Sequence, residues 1–306
     1  MEKVFLLDIG GTNVRYALAE KGKTSIEKIY KKNIGSKSLD KLLEDLLTTE
    51  SGKVLNIVIS AAGPKLDGII KMTNRSYKID PNEIKEKFSL KECHLLNDWE
   101  SIAYGHAYLN QKDCINLINK EVSSYNKNSL YFGPGTGLGV SILLDDQIVI
   151  SSEYGNTNIG VEELIGKDLS KLHHFKSIED TLSGKAISKI YEIKTRKHLS
   201  AEEIFSQAKN DDLVAKEIIQ DFIERLAIIL SDLTLSFLPG GGIYLAGNLT
   251  RSLKDFINTK IFEEKFLLNK ASPHLEILRN TPINIIMKEH SPLYGNLNYF
   301  NLSQKD

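Results

Sequence analysis

The chain has 306 residues, 41% of them hydrophobic, and a formal net charge of −1 at pH 7, enough for a large core and two lobes. Lys and Glu are mixed along the chain without a basic block, so a nucleic-acid partner is not expected. The two cysteines, Cys93 and Cys114, have no metal-ligand spacing and fit a reducing cytoplasmic setting.

From the N-terminus, Phe5, Leu6 and Leu7 form a short β-rich run that is too brief for a signal peptide and ends at Asp8. After "DIGGTN" the residues Val14–Leu18 alternate with period two, so the unit is a hairpin. That excludes the strand-to-helix glycine turn of a dinucleotide-binding fold. In its plainest reading the stretch is a tight turn. Read as a site, the backbone N–H groups of Gly10 and Gly11, the Thr12 hydroxyl and the Asn13 amide form a concave anion cradle. A carboxylate beside such a cradle repels an anion unless a cation lies between them, so Asp8 points to Mg²⁺ held largely through water.

Leu39, Leu42, Leu43 and Leu46 mark one face of a helix, and Val54–Ile59 reads as a buried strand ending in "SAAGP". "KMTNRSYKI" is a polar turn that brings Asn74 forward as a candidate ligand contact. Asp80 and Pro81 are an N-cap and first-turn pair. Cys93–Leu96 is a further strand, and Asn97–Leu109 is expected to be one helix. Asn97 and Asp98 in "LLNDWE" are ordinary capping residues. The same geometry keeps a carboxylate ionised at a helix N-terminus and suits Asp98 to orient a hydroxyl and accept its proton, with Asn97 on a second hydroxyl.

"SLYFGPGTGLGVSILL" repeats the strand, glycine turn, strand arrangement, with Gly133, Gly135, Gly137 and Gly139 freeing the backbone and Thr136 adding a donor. Neither turn carries the Lys of a Walker loop, so charge neutralisation falls to Mg²⁺ and backbone donors. Glu153 and Asn156 in "SSEYGN" and Glu179 in "IEDTLSG" are either solvated surface or fixed acceptors for a hydroxyl-rich ligand. Leu213–Leu238 forms the strongest helix; its apolar end holds Asp232 and hydroxyls and so reads as buried helix, not a membrane span. In "PGGGIYLAGN" a helix stop leads to a strand and a turn at which a flat ring could lie. Ile283–Met287 is a late strand, and a helix from Pro292 is expected to return to the first lobe. The expected division is a small α/β lobe, 1–109 with 290–306, and a large one, 110–289, hinged at "NQKDC".

In "DIGGTNVR", "MTN", "LNDWE", "GPGTGLG", "SEYGN", "LSG" and "GGIYLAG", in that order from Asp8 to Gly247, the sequence resembles a bacterial glucokinase of the hexokinase–actin superfamily. The resemblance implies two ribonuclease-H-like lobes with a central cleft, often as a homodimer, and phosphorylation of glucose at its 6-hydroxyl by ATP and Mg²⁺. It puts Asp8, Ile9, Gly10, Gly11, Thr12, Asn13, Gly135, Thr136, Gly137 and Gly247 around ATP, with Asp8 toward Mg²⁺. Asp98 is then the general base, and Asn74, Asn97, Glu153, Asn156 and Glu179 hold the sugar. Two positions depart from the family pattern. Asn156 stands where the family usually has His, which keeps a kinase of mannose, fructose or an amino sugar in view. Asn248 follows Gly247 where a second glycine is usual; Asn tolerates left-handed backbone geometry, so the turn is expected to survive. A catalytically weak sugar sensor is the alternative outside the enzymes, and intact Asp8 and Asp98 argue against it. The zinc-binding Cys/His cluster of related repressor-type sugar kinases is absent from the sequence, and with the first core strand starting near Val4 no N-terminal DNA-binding segment is expected.

Overall fold

A computed structural model describes residues 2–49, 54–72, 75–118, 126–166, 169, 174–289 and 291–303. The chain divides into two compact units, Met1–Leu109 with Lys288–Asp306, and Asn110–Met287.

The first unit is built on a five-stranded sheet. β1 (Lys3–Ile9), β2 (Asn13–Glu20) and β3 (Ile29–Asn33) form an antiparallel meander, followed by α1 (Leu39–Thr49) and β4 (Asn56–Ala61). Three short strands, β5 (Lys65–Leu66), β6 (Ile69–Lys71) and β7 (Lys78–Ile79), make a separate small sheet before α2 (Pro81–Lys87), β8 (Glu92–Asn97) and α3 (Asp98–Tyr104). The main order is β3-β2-β1-β4-β8, with β4 parallel to β1 and β8 parallel to β4. β1 is apolar without a break up to Asp8 because both of its faces are covered. Phe5, Leu7 and Ile9 pack with Leu42, Leu43 and Leu46 of α1 on one side. Val4 and Leu6 pack on the other side with Leu293, Leu297 and Phe300. Those last three belong to the C-terminal helix, Ser291–Leu302.

That helix is held by polar as well as apolar contacts. Asn296 is fully buried, donating from Nδ2 to the Leu7 carbonyl (2.8 Å) and to Ser60 Oγ (3.2 Å), while Ser101 Oγ donates to its Oδ1 (2.7 Å). Beside it, a Cβ built on Gly295 would lie 1.6 Å from the Ser101 carbonyl oxygen, so the C-terminal helix and α3 touch backbone to backbone at that point.

The second unit repeats the plan. β9 (Cys114–Ile118) precedes a second meander of β10 (Ser129–Pro134), β11 (Leu138–Leu144) and β12 (Ile148–Ser152). Its helices are α4 (Val161–Ile165), α5 (Gly184–Thr195), α6 (Ala201–Lys209), α7 (Leu213–Phe237), α8 (Asn248–Leu253), α9 (Thr259–Phe266) and α10 (Ser272–Arg279). β13 (Gly242–Leu245) and β14 (Ile283–Ile286) complete the sheet, and the C-terminal helix is α11. The order β12-β11-β10-β13-β14-β9 contains the arrangement of the first sheet plus one antiparallel edge strand. Three antiparallel strands followed by two parallel ones, twice in one chain, are the ribonuclease-H-like plan. The amphipathic α7 buries Ile218, Phe222, Leu226 and Ile229 in a core shared with Phe132, Val140 and Ile187.

One local expectation changes. The segment expected to be one helix from Asn97 to Leu109 is α3 followed by a separate 3₁₀ turn, Gly105–Tyr108, where the Gly105 amide shares the carbonyls of Ser101, Ile102 and Ala103. The turn survives at Asn248: the positive φ falls on Gly247 (φ +109), and Asn248 is the first helical residue of α8. Asn is no obstacle there, because the glycine before it makes the turn.

Gly295→Ala is expected to push α11 off α3 and lower unfolding stability by about 1–3 kcal/mol or more, as for other over-packed contacts. A shift of the urea midpoint toward lower concentration, with the slope unchanged, is the measurement.

Candidate active site

In the first unit the parallel register decides which groups are neighbours. Ile9 of β1 pairs with Ala61 of β4, and Ala61 pairs with Asn97 of β8. The glycine turn after Ile9 and the Asn97–Asp98 step therefore lie at the same carboxyl end of one sheet, two strand spacings or roughly 10 Å apart. Ligands of open α/β sheets bind at this end.

Within the turn, Gly10 N–H donates to the Asn13 carbonyl (3.0 Å) and Ile34 N–H donates to the Thr12 carbonyl (3.0 Å). Gly10 thus closes the hairpin, while the Thr12 amide makes no hydrogen bond among the described residues. Asp8 is buried, and Arg15, directly opposite it on β2, donates to its Oδ2 from Nη1 at 2.9 Å. This partner follows from the hairpin register, which sets the two residues face to face.

Asn97 is the N-cap of α3. Its Oδ1 accepts from Trp99 N–H (2.8 Å), its Nδ2 donates to the Gly63 carbonyl (2.9 Å), and Glu100 Oε2 accepts from its own N–H (2.7 Å). Glu100 is ion-paired with Lys65 at 3.0 Å, so the start of the helix is fixed from two sides. Asp98 opens the helix, with Oδ1 accepting from Trp99 N–H at 3.0 Å. The capping role is thus realised for Asn97, and it holds in place the backbone that carries Asp98. Asn74 lies outside the described residues.

In the second unit the turn between β10 and β11 is closed by Gly135 N–H donating to the Gly137 carbonyl at 2.7 Å. Glu179 packs against this turn. Its Oε2 accepts from Leu138 N–H (2.9 Å), and its own N–H donates to the Gly155 carbonyl (2.8 Å). Glu153 Oε2 accepts from Asn156 Nδ2 at 3.0 Å. Glu179 and the Glu153–Asn156 pair, more than twenty residues before it, thus gather beside the second glycine turn. Tyr154, next to Glu153, has its phenol pKa pushed up chiefly by burial.

The same unit contains a cavity of about 880 Å³, lined by Gly135, Thr136, the start of α5 (Gly184, Lys185, Ala186), Phe205 of α6, and Asn248, Leu249 and Ser252 of α8. The turn and α5 are joined directly, Gly184 N–H donating to the Gly135 carbonyl at 2.8 Å. Ser183 caps α5, its Oγ accepting from Ala186 N–H at 3.2 Å. A glycine turn beside a helix N-terminus suits phosphate groups, and Phe205 and Leu249 offer apolar surface for a flat ring. Lys189 and Glu192 also line the cavity, paired at 3.1 Å, and the Lys189 ammonium holds Glu192 below the usual carboxylate range. The contributions of α5 and α6 went unread in the sequence. "LSGKA" is a recognisable cap-and-helix start, but nothing in it says that it faces the glycine turn.

Among the described residues no group of three or more His, Cys, Asp or Glu side chains could hold a metal by itself. That donor set fits Mg²⁺ only in the way this ion usually binds, on one or two carboxylates plus substrate phosphates and water. No helix of the described residues is long and apolar enough to cross a membrane.

The repeated sheet, its glycine hairpins and the nucleotide-sized cavity define a sugar kinase with the actin-like ATPase fold. The chain belongs to the Glucokinase family, which it matches over residues 5–302. It is 28% identical over 308 residues to a glucokinase-like protein of Xylella fastidiosa strain 9a5c, covering 94% of this chain and 90% of that protein. It is also 28% identical to the glucokinase of Saccharophagus degradans over 317 residues, covering 96% and 97% of the two chains. Among solved structures it is similar to glucokinase from an Antarctic psychrotroph, with a TM-score of 0.83, 25% identity and coverage of 98% and 99%.

A Cβ built on Gly137 would lie 2.4 Å from Glu179 Oε2, the movable end of a side chain. Gly137→Ala is therefore expected to leave the fold intact while displacing that carboxylate from the Leu138 amide. Amide hydrogen exchange at Leu138, followed by NMR, should accelerate by about tenfold or more, as for a lost hydrogen bond to a charged acceptor.

Proposed function

We propose that the protein transfers the γ-phosphoryl group of ATP to the 6-hydroxyl of glucose, giving glucose 6-phosphate and ADP, with Asp98 as the general base. The observation that carries this reading is the shared row of Ile9, Ala61 and Asn97, which sets Asp98 at the same sheet end as the first glycine turn. A base working beside a phosphate-binding turn is what phosphoryl transfer to an alcohol needs. Asp98 accepts the hydroxyl proton as the new oxygen–phosphorus bond forms, and the Asn97 cap holds its backbone still while it does so.

In this reading the first turn, from Asp8 and Ile9 through Asn13, and the second, Gly135–Gly137, bind phosphate oxygens through backbone N–H groups and the two threonine hydroxyls. The cavity of the second unit takes the base and ribose, beside Gly247 and Asn248. Mg²⁺, when bound, neutralises charge on the phosphates, with Asp8 as the carboxylate toward it. Glu153, Asn156 and Glu179 accept or donate hydrogen bonds to sugar hydroxyls, together with Asn97 and Asn74. A cytoplasmic setting, where ATP and hexoses meet, goes with this reading.

A second reading, the same transfer to mannose, fructose or an amino sugar, is favoured by one observation. Asn156 spends a donor on Glu153 Oε2, so Glu153 meets the sugar with one oxygen already engaged and no imidazole beside it.

ADP release from ATP–Mg²⁺, measured with each of several hexoses, tests the proposal. Glucose is expected to have the highest kcat/KM; a strong preference for another hexose selects the second reading, and the absence of any hexose-dependent release refutes both. Asp98→Asn should retain the wild-type melting temperature and lose at least ~10²-fold in kcat, the low end of general-base effects. Near-normal turnover in that variant removes Asp98 from its role. Asn156→His should change the ranking among hexoses while leaving the KM for ATP–Mg²⁺ within about twofold, a contact at the sugar being worth little at the nucleotide.

A further inference from the structure

A trans peptide points its carbonyl and its N–H in opposite directions. Anchoring the carbonyl of one residue therefore aims the amide of the next. In the second glycine turn the Gly135 carbonyl accepts from Gly184 N–H at 2.8 Å, so the Thr136 amide of the same peptide unit faces away from α5. That amide makes no hydrogen bond among the described residues, and Thr136 lines the cavity.

The first turn has the same Gly–Thr step, Gly11–Thr12, but no helix start donates to it. Its carbonyl is held by a side chain. Arg75 donates from Nε to the Gly11 carbonyl at 2.5 Å and from Nη2 to the Gly35 carbonyl at 2.9 Å. The guanidinium is braced in turn. Nη1 donates to the Tyr77 hydroxyl at 3.3 Å, Cζ lies 5.3 Å from the Tyr77 ring centre, and the Tyr77 hydroxyl donates to the Lys37 carbonyl. Three of the guanidinium's nitrogens thus end on fixed oxygens, two of them backbone carbonyls from separate loops. Arg75 is half-buried and makes no ion pair among the described residues, so neutralising a carboxylate does not account for its placement.

We infer that Arg75 is a positioning residue for nucleotide binding: it orients the Gly11–Thr12 peptide so that the Thr12 amide is presented to a phosphate oxygen. It does for the first turn what the Gly184 backbone does for the second. The planar guanidinium is required because one edge of it must serve two carbonyls at once, which an ammonium does poorly. This inference rests on the proposed kinase reading for the identity of the phosphate, but its geometry belongs to the turn alone.

The test uses the full chain and has two readouts. The first is the Kd for the Mg²⁺ complex of a non-hydrolysable ATP analogue, measured by calorimetry without any sugar. Arg75→Ala should weaken it by about tenfold, the size of a lost hydrogen bond from a charged donor. Arg75→Lys should fall between wild type and Arg75→Ala. Tyr77→Phe, which keeps the Gly11 contact, should bind as wild type does. The second readout is kinetic: in Arg75→Ala the KM for ATP–Mg²⁺ should rise with the Kd, while the KM for hexose stays within about twofold. If Arg75→Ala does not fold, the Kd of Arg75→Lys decides, and wild-type affinity in it overturns the proposal. Wild-type affinity in Arg75→Ala, an equal loss in Tyr77→Phe, or a rise confined to the hexose KM overturns it as well. A wild-type chain that binds the nucleotide but phosphorylates no hexose refutes the kinase reading alone, with Arg75 still judged on Kd. A chain that binds no nucleotide overturns both.

Discussion

Burying β1 on both faces leaves that strand no freedom to slide. A shift of one residue would turn Phe5, Leu7 and Ile9 from α1 toward α11 and move Val4, Leu6 and the charged Asp8 to the α1 face. The register with β4 and β8 is locked for the same reason, since Ile57, Ile59 and Leu95 belong to one face and Val58 and Leu96 to the other. The chemistry of the first unit depends on this constraint. It brings the glycine turn and Asp98 to one end of the sheet.

The polar groups at that end are then fixed by a layer of contacts within the protein. Asn97 caps the helix that carries Asp98, and Glu100 and Lys65 brace the cap. Arg15 holds Asp8, and Ile34 and Arg75 hold the carbonyls of the turn. Phosphoryl transfer asks little covalent chemistry of a protein and much positioning, so rigidity supplied in this way is directly useful. The second unit uses a different set of braces for the same end. Its glycine turn is tied to a helix start by backbone, Glu179 is tied to the turn through the Leu138 amide, and Glu153 is tied to Asn156.

Much of this was legible in the residues. Both hairpins could be read from a short apolar run, a glycine-rich turn and a second alternating run, because period-two patterning and turn chemistry are local signals. The capped α2 and the long α7 were legible for the same reason. The short strands β5, β6 and β7 and the helices α5 and α6 were missed as contributors, since their patterns are brief and their partners lie elsewhere in the chain. The break at Gly105 in the helix after Asp98 was also missed; only packing against α11 distinguishes a continued helix from a 3₁₀ turn there.

By itself, the sequence determined which groups are available: two glycine turns without a Walker lysine, an aspartate at a helix start, three polar residues near later turns, and the ordered motifs of the Glucokinase family. Only the tertiary structure decided what each of those groups is tied to. Arg15 opposite Asp8, Gly63 under Asn97, Glu179 on the Leu138 amide and Arg75 on the Gly11 carbonyl are pairings between residues as little as seven and as much as 64 positions apart. No local pattern encodes such pairings, because they arise where separate strands and loops are brought side by side by burial of the apolar surfaces between them.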